Sequence, residues 1–231
     1  MPLGRILRRF RCIERNAMAD IFELFKKISS GGDTPKAPIT HIIAGLGNPG
    51  DKYYLTRHNA GFLAMDYISQ KYGVKVDRVK FKALCGEAMI GGARVLLMKP
   101  QTFMNHSGEA ISEAAAFYKI PTENIILISD DVNLDIGRLR VRRKGSDGGQ
   151  RGLRSTREHL GTDNFPRIRI GVGQKPHPDY DMADWVLSEF RTEDKQTLFD
   201  SFGRVCEGLE KVLAGDFDTA MQICNSNIKN N

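Results

Sequence analysis

The chain has 231 residues, of which 41% are apolar and 27% are charged, and its formal net charge is +6. This length suits one ordinary domain with a full hydrophobic core, and no apolar run approaches the ~20 residues that span a membrane. The four cysteines and five histidines show no metal-ligand spacing, so we expect reduced thiols and no metal. We also expect a cytoplasmic monomer without a cofactor.

The positive charge is unevenly distributed along the chain. Residues 1–15 hold five arginines and one acid, and they supply +4 of the net charge. A second basic stretch, 138–169, holds ten lysines and arginines against three acids, with glycines interleaved. A patch of this density indicates a polyanionic partner, nucleic acid first, whereas the alternative is a solvated charged face.

Residues 1–38 are predicted to form an N-terminal extension. Residues 1–17 are arginine-rich and acid-poor like organellar presequences, but they lack serine, and we expect translation to start at Met18 instead. Apolar residues at helical spacing predict an amphipathic helix over about 18–29, and the Gly/Ser/Pro-rich residues 29–38 predict a flexible linker. We expect the helix to pack on the domain; contact with a membrane surface or a partner is the alternative.

The folded domain is predicted to span 39–231 and to begin with a buried strand at 42–44, which breaks into a Gly/Pro turn at 45–50. The patterns that follow predict further strands at 86–90, 93–98, 125–129, 138–142 and 167–172. They predict helices that start near 59–61, 107, 152, 182, 192 and 218, and that end near 72, 118, 160, 190, 214 and 224. The alternation predicts a single α/β domain with a twisted, mixed β-sheet flanked by helices.

The turn from Gly45 to Gly50 matches the letters of the dinucleotide fingerprint GxGxxG. That motif must open a helix at once, and an acid must end the next strand. Here Pro49 and a polar, aromatic run follow, and Asp66 lies on a predicted helix, so we reject a dinucleotide site. No Gly-Lys-Ser/Thr follows the turn, which also excludes a P-loop.

His58, ten residues past Asn48, is the histidine best placed for chemistry. Asn105 in a second loop and Asp130 at the end of a buried strand are predicted at the same rim, because ligands bind at the carboxyl ends of strands in open α/β sheets. A histidine can take a proton from water, a carboxylate can fix its tautomer, and an amide can donate and accept. The residue types alone leave structural roles for these side chains equally open.

Four segments resemble the bacterial peptidyl-tRNA hydrolases, in order and at matching spacing: GLGNPGDKYYLTRHNAG, KPQTFMNHSGEAI, ISDDVNLDIGRLRVRRKGSDGGQRGL and FPRIRIGVG. The resemblance covers the chain from about residue 40 and implies metal-independent hydrolysis of the ester between a peptide and the terminal ribose of tRNA. It implies that His58 is the general base and that Asp130 tunes it. It also implies that Asn105 orients the substrate and stabilises the oxyanion, and that Asn48 recognises the peptide backbone.

The same resemblance implies two groups of binding residues. Tyr53, Phe103 and Met104 correspond to residues that line the site around the tRNA end and the first amino acid. Arg142 and Arg169 correspond to basic residues that clamp the 5′-phosphate of tRNA. This second role agrees with the basic stretch found from charge alone.

The chain departs from the family where the usual Gly-Gly-His-Asn-Gly is replaced by Gly-Gly-Gln150-Arg151-Gly. The family's asparagine helps hold substrate and water, but arginine cannot accept a hydrogen bond. We hypothesise that Arg151 instead contacts a phosphate near the 3′ end of the tRNA. The departure leaves a second function open, an RNA-binding relative without the chemistry, although the four retained candidate catalytic residues favour the hydrolase.

Overall fold

The computed structural model describes residues 37–226, so the predicted helix at 18–29 and most of its linker lie outside the described residues. Within these residues, seven strands form one sheet: β1 (His41–Gly45), β2 (Arg78–Lys80), β3 (Ala83–Ile90), β4 (Ala93–Pro100), β5 (Ile125–Asp131), β6 (Leu139–Arg142) and β7 (Arg167–Gly171). Their order in space is β2-β3-β4-β1-β5-β7-β6. The predicted α/β domain with a mixed sheet is therefore confirmed.

The centre of the sheet is parallel and its edges are antiparallel. β4 and β5 flank β1 in parallel, and β7 continues the parallel run from β5. The β2-β3-β4 meander closes one edge, and β6 closes the other. All seven residues of β5 are buried, as expected for a parallel strand covered by helices on both faces. The carboxyl ends of β1, β4, β5 and β7 consequently meet along one edge.

The described residues form six α-helices: α1 (Ala60–Lys71), α2 (Ser107–Tyr118), α3 (Arg151–Leu160), α4 (Met182–Leu187), α5 (Thr192–Leu213) and α6 (Phe217–Asn225). Helices α1, α5 and α6 enclose one hydrophobic core, and α2 and α3 enclose a second core on the opposite face. In the part of the chain that the structure describes, no helix is both long and apolar enough to cross a membrane.

Several boundaries differ from the sequence predictions. Strand β2 was not predicted, because its three residues are all exposed and so carry no burial pattern. Strand β3 starts three residues earlier than predicted, and β5 includes the two aspartates that were expected to follow it.

Helix α4 is also shorter than predicted. It ends at Leu187 instead of 190, because the chain then becomes extended and Glu189 forms a β-bridge with Thr56. The next residue, Phe190, is buried in the first core. The loop before α1 is therefore tied to the segment after α4.

Gly61 explains how α1 starts so close to the sheet. A Cβ atom at this position would meet the backbone O and N atoms of Leu46 at 2.5 and 2.6 Å and would lie still closer to the carbonyl oxygen of Ile128. Only a residue without a side chain allows the helix to pack this closely. The turn just before the helix, Arg57–Asn59, is thereby held over the carboxyl edge of β1 and β5.

Candidate active site

An open cleft of about 430 Å³ lies at the carboxyl edge of the parallel strands. Asn48 reaches it from the loop after β1, His58 from the turn before α1, and Asp130 from the end of β5. Met104 and Asn105 reach it from the turn Met104–His106 that follows β4. Four chain segments that are far apart in sequence thus supply one site.

His58 and Asp130 form the buried centre of this cleft. His58 Nδ1 lies 2.9 Å from Asp130 Oδ2, and the two residues are 9% and 3% exposed. Because a carboxylate can only accept, Nδ1 carries the proton and Nε2 is left with its lone pair. The imidazole is therefore in the tautomer that can act as a base.

Opposing effects set the pKa of His58. Burial alone would lower it, but the charge of Asp130 and the hydrogen bond to that carboxylate raise it, and the nearby charge of Arg151 lowers it slightly. The net result is a pKa above the ordinary value of 6.5. Asp130 thus stabilises the imidazolium that forms when His58 takes a proton.

Asn48 is held by hydrogen bonds to Met104 and Asn59. Its Oδ1 accepts the N–H of Met104 at 2.8 Å. Its own backbone N–H donates to Asn59 Oδ1 at 2.8 Å, and its carbonyl oxygen accepts from Asn59 Nδ2 at 3.0 Å. Sequence reasoning did not identify Asn59, although its position next to His58 in the RHN turn was a usable signal.

Asn105 differs from Asn48 because its side chain is exposed. It lines the cleft beside the buried Met104. Among residues 37–226, no hydrogen bond to its side-chain amide is formed. Both its donor and its acceptor therefore remain available to a bound molecule.

Gln150 and Arg151 also line the cleft. Gln150 is 7% exposed and donates from Nε2 to Asp130 Oδ1 at 3.0 Å. Arg151, the first residue of α3, is exposed and lines the cleft. Sequence analysis singled out Arg151 but assigned nothing to Gln150, since the link to Asp130 spans twenty residues and no local pattern shows it.

Tyr53 and Phe103 do not line the cleft itself. Their rings pack edge to face, with centroids 6.4 Å apart, and Phe103 is 49% exposed. Phe103 directly precedes Met104 in the chain, so the pair lies at the rim next to the cleft. The structure therefore places Met104 inside the cleft and the two predicted aromatic residues beside it.

Arg142 and Arg169 share a second, basic groove with Arg140, Lys144, Gly145, Ser146 and Arg167. Arg142 is exposed. Arg169 is not a free cation, because its guanidinium lies 3.1 Å from Asp131 Oδ2 and donates to the carbonyl oxygen of Ser146 at 2.9 Å. Arg169 also lines the main cleft, so it joins the two depressions.

One arginine of the basic stretch has a structural role. Arg167 is 1% exposed and donates to the backbone carbonyls of Gly145, Asp163 and Phe165. Burial lowers the pKa of Arg167 to about 10. This residue fixes the loop beside the groove, and the exposed Arg142 and Lys144 remain for an anionic partner.

Arg57 connects the turn that holds His58 to α4, whose residues Met182 and Val186 form another wall of the cleft. Its guanidinium carbon lies 3.8 Å from the centroid of the Trp185 ring, and Arg57 also donates a hydrogen bond to Ser188 Oγ at 2.8 Å.

Within the described range, no group of His, Cys, Asp and Glu side chains is arranged to hold a metal ion.

The sequence and the fold are similar to those of known proteins. A family model described as "Peptidyl-tRNA hydrolase" matches residues 42–231. The peptidyl-tRNA hydrolase of Caldicellulosiruptor bescii is 50% identical over 188 residues, which cover 81% of this chain and 98% of that protein. That of Caldicellulosiruptor saccharolyticus is 48% identical over the same shares. The crystal structure of peptidyl-tRNA hydrolase from Acinetobacter baumannii is similar with a TM-score of 0.76 and 30% identity, covering 84% of this chain and 98% of that one.

Proposed function

The chain belongs to the peptidyl-tRNA hydrolase family, and we propose that His58, assisted by Asp130, carries out its reaction as a general base. The protein hydrolyses the ester bond between the peptide and the tRNA of peptidyl-tRNA. The observation that supports the proposed roles is the 2.9 Å contact between His58 Nδ1 and Asp130 Oδ2. This contact leaves Nε2 as the only basic nitrogen of the ring.

In the proposed reaction, a water molecule donates a proton to His58 Nε2 as its oxygen attacks the ester carbonyl carbon. The resulting imidazolium is stabilised by the carboxylate of Asp130. The carbon–oxygen bond to the ribose then breaks, and the proton on His58 passes to the departing ribose oxygen. The products are a peptide with a free carboxyl group and a tRNA with a free terminal hydroxyl.

The two asparagines serve different parts of the substrate. The exposed amide of Asn105 is free to donate to the oxyanion that develops on the ester carbonyl. The Oδ1 of Asn48 is occupied by the N–H of Met104, so Asn48 offers Nδ2 to a peptide carbonyl oxygen. A free aminoacyl-tRNA lacks the carbonyl that precedes the first residue, and this contact therefore favours the blocked substrate.

The basic residues bind the tRNA backbone. We assign a 5′-phosphate to the groove of Arg142 and Arg169, and a phosphate near the 3′ end to Arg151, which lies in the cleft wall. Because Arg169 is already paired with Asp131, the uncompensated charge in the groove comes from Arg142 together with Arg140 and Lys144. Tyr53 and Phe103 at the rim offer aromatic faces to the terminal bases.

We also propose that the enzyme acts in the cytoplasm as a monomer. Its substrate is a product of translation, and the side chains of one chain supply a complete cleft.

Turnover of an N-acetylated aminoacyl-tRNA tests the proposed base. Substitution of His58→Ala is expected to lower kcat roughly 10²- to 10⁴-fold, with tRNA binding retained. His41→Ala is the matched control, since His41 lies at the amino end of β1, away from the cleft at the carboxyl ends of the strands. This variant should keep the parent rate within about twofold. A parent protein that binds tRNA but turns over no faster than His58→Ala would instead identify the RNA-binding relative.

A further inference from the structure

Asp130 uses both of its carboxylate oxygen atoms, and each has a different partner. Oδ2 faces His58 Nδ1 at 2.9 Å, and Oδ1 accepts from Gln150 Nε2 at 3.0 Å. All three residues are less than 10% exposed. The carboxylate is therefore held between the histidine and an uncharged amide, with little water to replace either partner.

The direction of the Gln150 amide is fixed by helix α3. Gln150 is the N-cap of this helix, and its Oε1 accepts the N–H of Leu153 at 2.7 Å. A backbone N–H can only donate, so the oxygen must face the helix and the nitrogen must face Asp130. The position of α3 therefore determines where the amide N–H of Gln150 meets the carboxylate of Asp130.

We propose that Gln150 is a positioning residue for the hydrolysis: it holds Asp130 Oδ1 so that Oδ2 stays directed at His58. This inference rests on the proposed roles of His58 and Asp130. Gln150 suits the position because it donates a hydrogen bond without carrying charge, so Asp130 keeps its full effect on His58. A carboxylate at the same place would accept where Gln150 donates, and it would repel Asp130.

The other charged groups around the pair are few. Arg151 at the start of α3 lies near His58. Asp131 on β5 is neutralised by Arg169 on β7. The cleft residues from α4 (Met182, Ala183, Val186, Leu187) and from the 104–105 turn are uncharged. A change in the pH dependence after substitution of Gln150 is therefore attributable to Asp130, His58 and the side chain introduced at position 150.

The test compares Gln150→Glu with the parent enzyme on an N-acetylated aminoacyl-tRNA. Glutamate keeps an oxygen for the N–H of Leu153, and so preserves the cap, but in its ionised form it has no donor for Asp130. We expect kcat to fall roughly 10- to 100-fold, with KM within about threefold. The acid limb of the kcat/KM profile should move to higher pH, because an added negative charge stabilises the imidazolium.

A purely structural cap predicts a different result, since Gln150→Glu would then keep the parent kcat and pH profile. That outcome would overturn the inference. Gln150→His is the second variant: it returns a ring N–H to Asp130, and we expect kcat within about threefold of the parent at pH 8. A folded but inactive Gln150→His, judged by its thermal unfolding and tRNA binding, would also overturn it.

The two proposals fail in distinguishable ways. If His58→Ala keeps the parent rate, the proposed base is wrong and the role of Gln150 is wrong with it. If His58→Ala is inactive while Gln150→Glu behaves as the parent, only the positioning role fails.

Discussion

Asn48 Oδ1 accepts the backbone N–H of Met104 at 2.8 Å, and this contact determines what else Asn48 can do. Because the N–H can only donate, the oxygen of the amide faces Met104 and the nitrogen faces the cleft. Asn48 is 8% exposed, so its amide has little freedom to turn over. The loop after β1 and the turn after β4 are joined by a side chain that presents one donor to the substrate.

The substitution Asn48→Asp separates the contact with Met104 from the contact with the substrate. Its carboxylate can still accept from Met104, so the unfolding temperature should stay close to that of the parent. The donor to the peptide carbonyl is lost and replaced by a negative charge, and we expect kcat/KM on N-acetylated aminoacyl-tRNA to fall roughly 100-fold. Asn48→Ala is the control that should lose both activity and stability. An Asn48→Asp rate within twofold of the parent would contradict the assignment.

The pH dependence of the reaction should follow the pKa of His58, which lies above 6.5 because of Asp130. Asp130→Asn removes the charge, and burial together with Arg151 then lowers the pKa of His58. Since neutral His58 is the base, the acid limb of kcat/KM should move to lower pH while the plateau rate falls. The measurement is a pH–rate profile of both proteins; an unmoved acid limb would show that a different group titrates.

The same raised pKa should make His58 contribute to folding stability at low pH. A group whose pKa is raised by folding stabilises fully below its unfolded value, here about 6.5. That contribution is lost as the pH rises through the folded pKa. The difference in free energy of unfolding between the parent and His58→Gln should therefore shrink above pH 6.5. Urea denaturation across this range measures it, and a difference that grows with pH would have the wrong sign.

The central strands were predictable from sequence because burial on both faces leaves continuous apolar runs, as in 42–44 and 125–129. Strand β2 was not, since its residues are exposed and it exists only because β3 pairs with it. The early end of α4 depends on the bridge between Thr56 and Glu189. Pairings across more than a hundred residues leave no trace in a local pattern.

The candidate site was also predictable from the sequence only in part. His58, Asp130 and Asn48 could be placed together, because each follows or ends a predicted strand at the carboxyl edge. The contact of Gln150 with Asp130 could not be predicted, because it depends on how the α3 cap orients one amide. The pairing of Arg169 with Asp131 could not be predicted either, because it arises from the register of β5 and β7.

The close packing at Gly61 predicts a strong asymmetry between two glycine substitutions. Gly61→Ala would push a methyl group against the backbone of Leu46 and Ile128, and we expect a loss of roughly 1–3 kcal/mol or more in stability. Gly203 is the matched control: it lies within α5, and an added Cβ would meet only Tyr67 Oη at 3.7 Å. Gly203→Ala should stabilise by roughly 0.5–1 kcal/mol. Equal effects in thermal denaturation would contradict this packing.

Arg151 provides a test of how the cleft wall contacts tRNA. It is exposed beside His58 and heads α3, where a positive charge opposes the helix dipole and gains from an anionic ligand. Arg151→Ala should weaken tRNA binding and reduce the slope of log K against log salt by roughly one contact. Arg78→Ala on β2, at the far edge of the sheet from β6, removes the same charge and should leave the slope unchanged. Equal slopes for the parent and Arg151→Ala would mean that Arg151 does not bind a phosphate.

Because Arg151 lowers the pKa of His58, the substitution should also move the acid limb of kcat/KM slightly to higher pH. Substitution of a remote arginine would not move this limb.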